Sequence, residues 1–208
     1  TSIVGMSDLI RKTVLTSEQL EYVDIINKSC EYLLKIINDI LDVSKLESGN
    51  LTISQNSFTI DEIVKSAHEM LLVKAREKNI DFTCSIARDI TEKFTGDSLR
   101  IRQVLINLCS NAIKYTDKGG VSLTVKTVSA KPDSVKLSFE IADTGIGIEA
   151  EKQKELFMPY YQIEDTGLLK KEGHGLGLVI SKKIIELMNG NLYFESRHQK
   201  GSKFWFIL

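Results

Sequence analysis

A chain of 208 residues, 42% apolar and 26% charged, has the composition of a folded globular protein rather than a disordered or collagen-like one, and its length suits a small domain joined to a medium one. A formal net charge of −1 gives no long-range pull toward nucleic acid or anionic lipid, both of which reward a clustered basic surface, and this argues against nucleic acid as a partner. Cys30, Cys84 and Cys109 are odd in number, lie among apolar neighbours and form no Cys-x-x-Cys pair, so they read as buried thiols of a reducing compartment. No apolar run approaches a membrane span, and the expectation is a cytoplasmic segment, without direct membrane insertion, excised from a longer protein.

Ile3, Met6, Ile10 and Val14 predict the tail of a helix that turns back at Leu15 to Ser17. Thr16 and Gln19 then form a capping-box pattern, after which Leu20, Val23, Ile26, Cys30, Leu33, Ile37 and Ile40 recur at steps of three and four until Ser48-Gly49-Asn50. A one-sided surface helix carries a similar stripe. A seam this narrow over about three heptads is more typical of helices that pair, so residues 1–50 read as a partner-seeking antiparallel hairpin.

Residues 51–208 read as a second domain. It opens with an extended stretch, Leu51 to Ser57, and a second capping box at Thr59-Ile60-Asp61-Glu62 that starts a helix reaching Lys78. Ile80, Phe82, Cys84 and Ile86 alternate with polar residues and predict a strand. A helix from Ser98 to Tyr115 comes next, with Ile101, Leu105, Leu108 and Ala112 on one face. Two further alternating runs, Val121 to Val125 and Val135 to Ile141, flank a turn at Ser129 to Asp133 and predict an antiparallel hairpin. A helix from Leu176 to Met188 and a closing hairpin from Asn191 to Leu208 through Gly201 complete the chain. Helices and strands are mixed without strict alternation, so the expected class is α+β with an open layer rather than a Rossmann sheet.

Three stretches carry candidate chemistry. Asn107, Asn111 and Lys114 stand at i, i+4 and i+7 and project from one helix face; two carboxamides and an ammonium there can grip a metal-polyphosphate, although a solvated polar face has the same pattern. Asp143-Thr144-Gly145-Ile146-Gly147-Ile148 directly succeeds a strand, where glycines let the backbone approach a ligand. Gly173-His174-Gly175-Leu176-Gly177-Leu178 opens a helix, whose amides and dipole suit phosphate oxygens. One glycine-rich loop is weak, but three such elements in order are a strong signal.

Residues 97–116, from Asp97-Ser98-Leu99-Arg100 to Asn111-Ala112-Ile113-Lys114-Tyr115-Thr116, resemble the N box of sensor histidine kinases. Asp143 to Ile148 resembles their first glycine box, Leu156-Phe157-Met158-Pro159-Tyr160-Tyr161-Gln162 their F box, and Gly173 to Leu178 their second glycine box, while Gly201 to Phe206 fits their last strands. The resemblance implies a two-layer Bergerat-type α/β sandwich preceded by a helical hairpin that pairs into a four-helix homodimer. It also implies binding of ATP with Mg2+: Asn111 on the metal, Asn107 and Lys114 toward the phosphates, Asp143 accepting from the adenine amino group, and Gly145 and Gly147 shaping the adenine pocket. Tyr115, Ile148, His174, Leu176 and Leu178 complete the implied nucleotide contacts. Gly173, Gly175 and Gly177 border a lid running from Met158 to Glu172, with Gly167, Lys170 and Lys171; a solvated loop would carry the same charges.

The family's acceptor motif is expected just before Thr1, because Ile3-Val4-Gly5-Met6 resembles the segment immediately C-terminal to that motif in the family. None of His68, His174 and His198 replaces it, so no catalytic acceptor is assigned within residues 1–208. His174 stands where the family often has a small hydroxyl residue, and Tyr160 where it often has Phe. The expected activity is transfer of the γ-phosphoryl group to that upstream histidine and onward to the receiver domain of a response regulator. A nucleotide-binding scaffold without transfer, and a clamp ATPase of the chaperone and topoisomerase kind, are the alternatives.

Overall fold

The computed structural model describes residues 2–131, 134–162 and 174–208 and divides the chain into two compact units, residues 1–51 and 52–208. The first holds α1 (Ser2–Arg11) and α2 (Ser17–Glu47). The Thr16 capping box forms as its sequence requires: the Gln19 amide donates to Thr16 Oγ1 at 3.2 Å, and the Thr16 amide donates to Gln19 Oε1 at 3.0 Å. At the other end Gly49 takes φ +67° and the Asn50 amide returns to the Lys45 carbonyl at 2.9 Å, closing the last turn. α1 ends earlier than its apolar spacing suggested. The Thr13 amide and hydroxyl both donate to the Ile10 carbonyl, and Val14 lies beyond the helix, fully exposed. Val23 is the one seam residue buried in this single chain; Leu20, Ile26, Leu33, Ile37 and Ile40 remain open to solvent.

The second unit begins with β1 (Asn56–Thr59) and α3 (Ile60–Glu77), whose N-cap Thr59 also forms its capping box with Glu62. Then come β2 (Asp81–Ile86), β3 (Lys93–Gly96), α4 (Ser98–Tyr115), β4 (Gly120–Lys131), β5 (Ser134–Asp143), a short 3-10 turn at Lys152–Glu155, α5 (Gly177–Leu187), β6 (Asn191–Arg197) and β7 (Gly201–Ile207). Five strands make one sheet in the order β2-β4-β5-β7-β6, with β2 parallel to β4 and every other pair antiparallel. The expected α+β sandwich is what forms. β3 is not anticipated by the sequence: four residues are too few to show alternation, and its pairing with β1 is fixed by the opposed Phe58 and Phe94, rings 6.4 Å apart. Of the extended stretch Leu51 to Ser57, only its last two residues enter a strand.

Three helices cover one face of the sheet. α3 buries Ile63, Val64, Ala67 and Leu71, α4 buries Ile101, Val104, Leu105 and Leu108, and α5 buries Ile180, Ile184 and Ile185, against Leu123, Val125, Phe139, Ile141 and Phe206 of the strands. Phe139 and Phe206 are partners in the β5–β7 register and stack at 4.7 Å, which locks the centre of the sheet. Of the three cysteines only Cys109 is fully buried. Cys30 lies in the open hairpin and Cys84 on the edge strand β2, so both are half-buried. Burial pushes the Cys84 thiol up to about 11, and burial, then the neighbouring Cys84, raises Cys109 further. His68 is a core-edge residue: its Nε2 is 3.2 Å from the Phe82 carbonyl and its ring packs 5.0 Å from the Phe82 ring. Among the described residues no helix is long and apolar enough to cross a membrane.

Candidate functional site

α4 is the first wall of the site. Asp97 caps it, accepting from the Arg100 amide at 3.0 Å and, with its other oxygen, from the Ser54 amide at 2.9 Å. Burial acts to raise this carboxyl, but the hydrogen bonds from Ser54 and Arg100 outweigh it and hold Asp97 below the usual range. With its apolar stripe turned to the sheet, α4 presents Asn107, Asn111 and Lys114 on a half-buried flank. Asn107 is committed to the neighbouring helix: its Nδ2 donates to Ser181 Oγ of α5 at 2.9 Å. A Cβ at Gly177, the first residue of α5, would collide with Asn107 Oδ1, so the two helices meet this closely only with glycine there. Among the described residues the Asn111 carboxamide has no hydrogen-bond partner, and Lys114 Nζ lies 4.7 Å from the Tyr115 ring centroid.

The second wall is the loop that leaves β5. Asp143 is half-buried, and the Gly145 and Ser202 amides donate to its Oδ1 at 2.8 and 3.2 Å. Among the described residues nothing bonds to Oδ2. Burial raises this carboxyl, opposed by the two amides. Gly145 packs under the end of α4, where a Cβ would run into the Tyr115 carbonyl oxygen; that oxygen accepts from the Ile146 amide at 3.2 Å. Gly147 has φ +64°. Ile148 is buried, its amide donating to Ser196 Oγ at 2.8 Å while its carbonyl accepts from Gln153 Nε2 at 2.9 Å. Ser196 Oγ lies 2.9 Å from Ser202 Oγ, so β6 and β7 brace the loop from behind.

The third element is the start of α5. Gly173 and the expected lid beyond Gln162 lie outside the described residues. His174 is half-buried, Gly175 takes φ +71°, Leu176 is 1% exposed and therefore part of the core, and Leu178 is half-buried. Leu176 is the N-cap of α5 and supplies no side-chain cap, which leaves the first amides of an 11-residue helix available to an anion. In the F box, Leu156 is buried and Phe157 packs edge-on to Phe194 at 5.7 Å, with Lys182 Nζ 5.1 Å from its ring. Ser181, Ser196, Ser202 and Gln153, which tie these walls together, have no signature in the sequence. Small polar residues become informative only once their partners across 43 to 74 positions are known.

A family model described as histidine kinase-, DNA gyrase B-, and HSP90-like ATPase matches residues 96–208, from the end of β3 to the C-terminal residue. The chain belongs to this ATPase family. A second model, the His Kinase A (phospho-acceptor) domain, matches residues 1–49, and the two together are the dimerisation and ATP-binding regions of a sensor histidine kinase. Sensor histidine kinase GacS of Pseudomonas protegens is 38% identical over 206 residues, covering 99% of this chain and 22% of that protein. Signal transduction histidine-protein kinase BarA of Escherichia coli is 36% identical over 208 residues, covering 98% of this chain and again 22% of the relative. The chain therefore spans less than a quarter of those proteins' length. Among solved structures, full-length ShkA in complex with AMPPNP superposes with a TM-score of 0.79 at 30% identity, over 99% of this chain and 42% of that one. Histidine kinase ThkA in complex with the response regulator protein TrrA gives 0.66 at 26%, over 100% and 56%.

Proposed function

We propose that this core binds ATP together with Mg2+ and transfers the γ-phosphoryl group to a histidine that precedes Thr1 in the longer protein, from which it passes to the receiver domain of a response regulator. The observation that carries the reading is Asp143: a half-buried carboxylate fixed through one oxygen by two backbone amides, with the other oxygen open to a donor such as the adenine amino group. The residues present suit the rest of the nucleotide. Gly145, Gly147 and Ile148 shape the base pocket, Tyr115, His174 and Leu178 border it, and Lys114 with the uncapped start of α5 suits the phosphates. Asn111 is the one carboxamide on α4's flank without a partner among the described residues and is the proposed protein ligand of Mg2+. The ion would neutralise charge on the phosphate oxygens, and in nucleotide sites it usually takes one or two protein oxygens beside phosphate and water. Asn107, already held by Ser181, would approach the phosphates through its oxygen. The protein's own work is positioning and charge neutralisation, which is what phosphoryl transfer requires.

The homodimer is proposed to form through the hairpin, whose seam is left largely uncovered in one chain, and the location is proposed to be cytoplasmic. Residues 1–49 contain no histidine, which supports an acceptor outside them. Calorimetry of the 208-residue chain with AMPPNP and Mg2+ tests the binding; absence of heat ends the reading. Incubation with γ-labelled ATP should leave these residues unlabelled, and acid-labile incorporation would refute the placement of the acceptor.

A further inference from the structure

A helix leaves its last four carbonyls without partners inside it. In α4 these belong to residues 112–115, and each receives a donor from elsewhere. Thr116 Oγ1 donates to the Ala112 carbonyl at 2.7 Å, and the Ile146 amide to that of Tyr115 at 3.2 Å. The two between them accept from one ammonium. Lys78 Nζ donates to the Ile113 carbonyl at 2.8 Å and the Lys114 carbonyl at 3.0 Å, and reaches on to the Thr116 carbonyl at 2.6 Å. Asp117 stands 3.6 Å from the same atom. An ammonium has three donors, and all three are engaged here. Lys78 is itself the C-cap of α3, so one charge sits where the negative ends of α3 and α4 come together.

The place matters because the last turn of α4 carries Lys114 and Tyr115, one turn after Asn111. The Tyr115 carbonyl also anchors Ile146 in the loop that carries Asp143. We propose that Lys78 is a positioning residue of the nucleotide site. Its ammonium holds the end of α4 and, through the Tyr115 carbonyl, the Asp143 loop in the geometry that binds, without touching the nucleotide. This role rests on the ATP-binding reading of the same site.

The test is titration of AMPPNP with Mg2+ into the 208-residue chain and its Lys78→Met and Lys78→Arg variants, at a temperature where circular dichroism shows each one folded. Lys78→Met keeps the stem but removes every donor, and affinity should fall about tenfold, as expected when charge-assisted hydrogen bonds are lost; Lys78→Arg should recover most of it. Hydrogen exchange should accelerate at residues 113–116 and 143–148 in Lys78→Met while β5–β7 stays protected. If Lys78→Met does not fold, Lys78→Gln, which keeps a neutral amide with two donors in place of the three of an ammonium, replaces it with the same expectations at smaller amplitude. Wild-type affinity in the donor-deficient variant, failure of arginine to rescue, or uniform loss of protection would overturn the proposal. No binding by the unmodified chain would instead overturn the ATP-binding reading.

Discussion

Asp143→Asn separates the two jobs of one carboxylate. The carboxamide oxygen can still face the Gly145 and Ser202 amides at the Oδ1 position, so the loop should hold. At the Oδ2 position, however, an acceptor becomes an NH2 donor, which on the proposed reading would face the adenine amino group. The loss is then one hydrogen bond to a charged acceptor, worth about 1.5 to 3 kcal/mol, or roughly ten- to 150-fold in affinity. Isothermal titration with AMPPNP and Mg2+ reads this directly. The pH dependence has a definite sign. Burial raises the Asp143 carboxyl above its ordinary 3.8, so as pH falls the folded protein takes up this proton before an unfolded chain would. Wild-type affinity should therefore begin to weaken at a higher pH than an unshifted aspartate would give. The same protonation relieves a buried charge, so wild-type stability should gain on that of the Asn variant as pH falls through that window. Binding by Asp143→Asn within twofold of wild type at neutral pH would refute the assignment of Asp143 to the base.

Asn111→Ala should abolish the Mg2+-dependent gain in AMPPNP affinity while leaving metal-free adenosine binding unchanged, measured by titration with and without chelator. Gly145→Ala would drive a methyl into the Tyr115 carbonyl; nucleotide affinity should drop by about tenfold or more, since the clash displaces both the loop and the end of α4. Asp97→Ala removes the cap of α4 together with the tie to Ser54 and should cost about 2 kcal/mol in urea denaturation. Because the folded Asp97 carboxyl lies below its ordinary value, its stabilisation is present above the unfolded pKa and disappears as pH falls through the folded one, so wild type and Asp97→Ala should converge in strong acid.

Elements with long periodic patterns were legible from residues alone. The seam of α2, the stripe of α4 and the alternation of β4 and β5 each repeat often enough to exclude other periods. Both capping boxes were legible for the same reason, since their partners are three residues apart. The features that escaped were set by distance along the chain. β3 exists because Phe58 meets Phe94, and the early end of α1 reflects a threonine bonding back to Ile10, which apolar spacing does not register. The candidate site divides in the same way. Its glycines, asparagines and aspartate announce themselves by clustering, whereas Ser181, Ser196, Ser202 and Lys78 are ordinary surface types whose roles come from the backbone amides, carbonyls, carboxylate and carboxamide that the fold brings to them. Asn107 was legible as a polar residue on the flank of α4, but its engagement with Ser181 was not.

The parallel pairing of β2 with β4 has a consequence for biosynthesis. Phe82 cannot find Val121 until the ribosome has delivered everything between them, and that interval contains the whole of α4. A nascent chain stalled before Gly120 thus owns Asn107 and Asn111 yet has no platform to hold them, and on the proposed reading nucleotide should neither bind it nor help it mature. If the proposed ATP binding holds, ligand would act as a chaperone for the domain only after β7 has emerged and docked on β5, rewarding the finished topology and no earlier one.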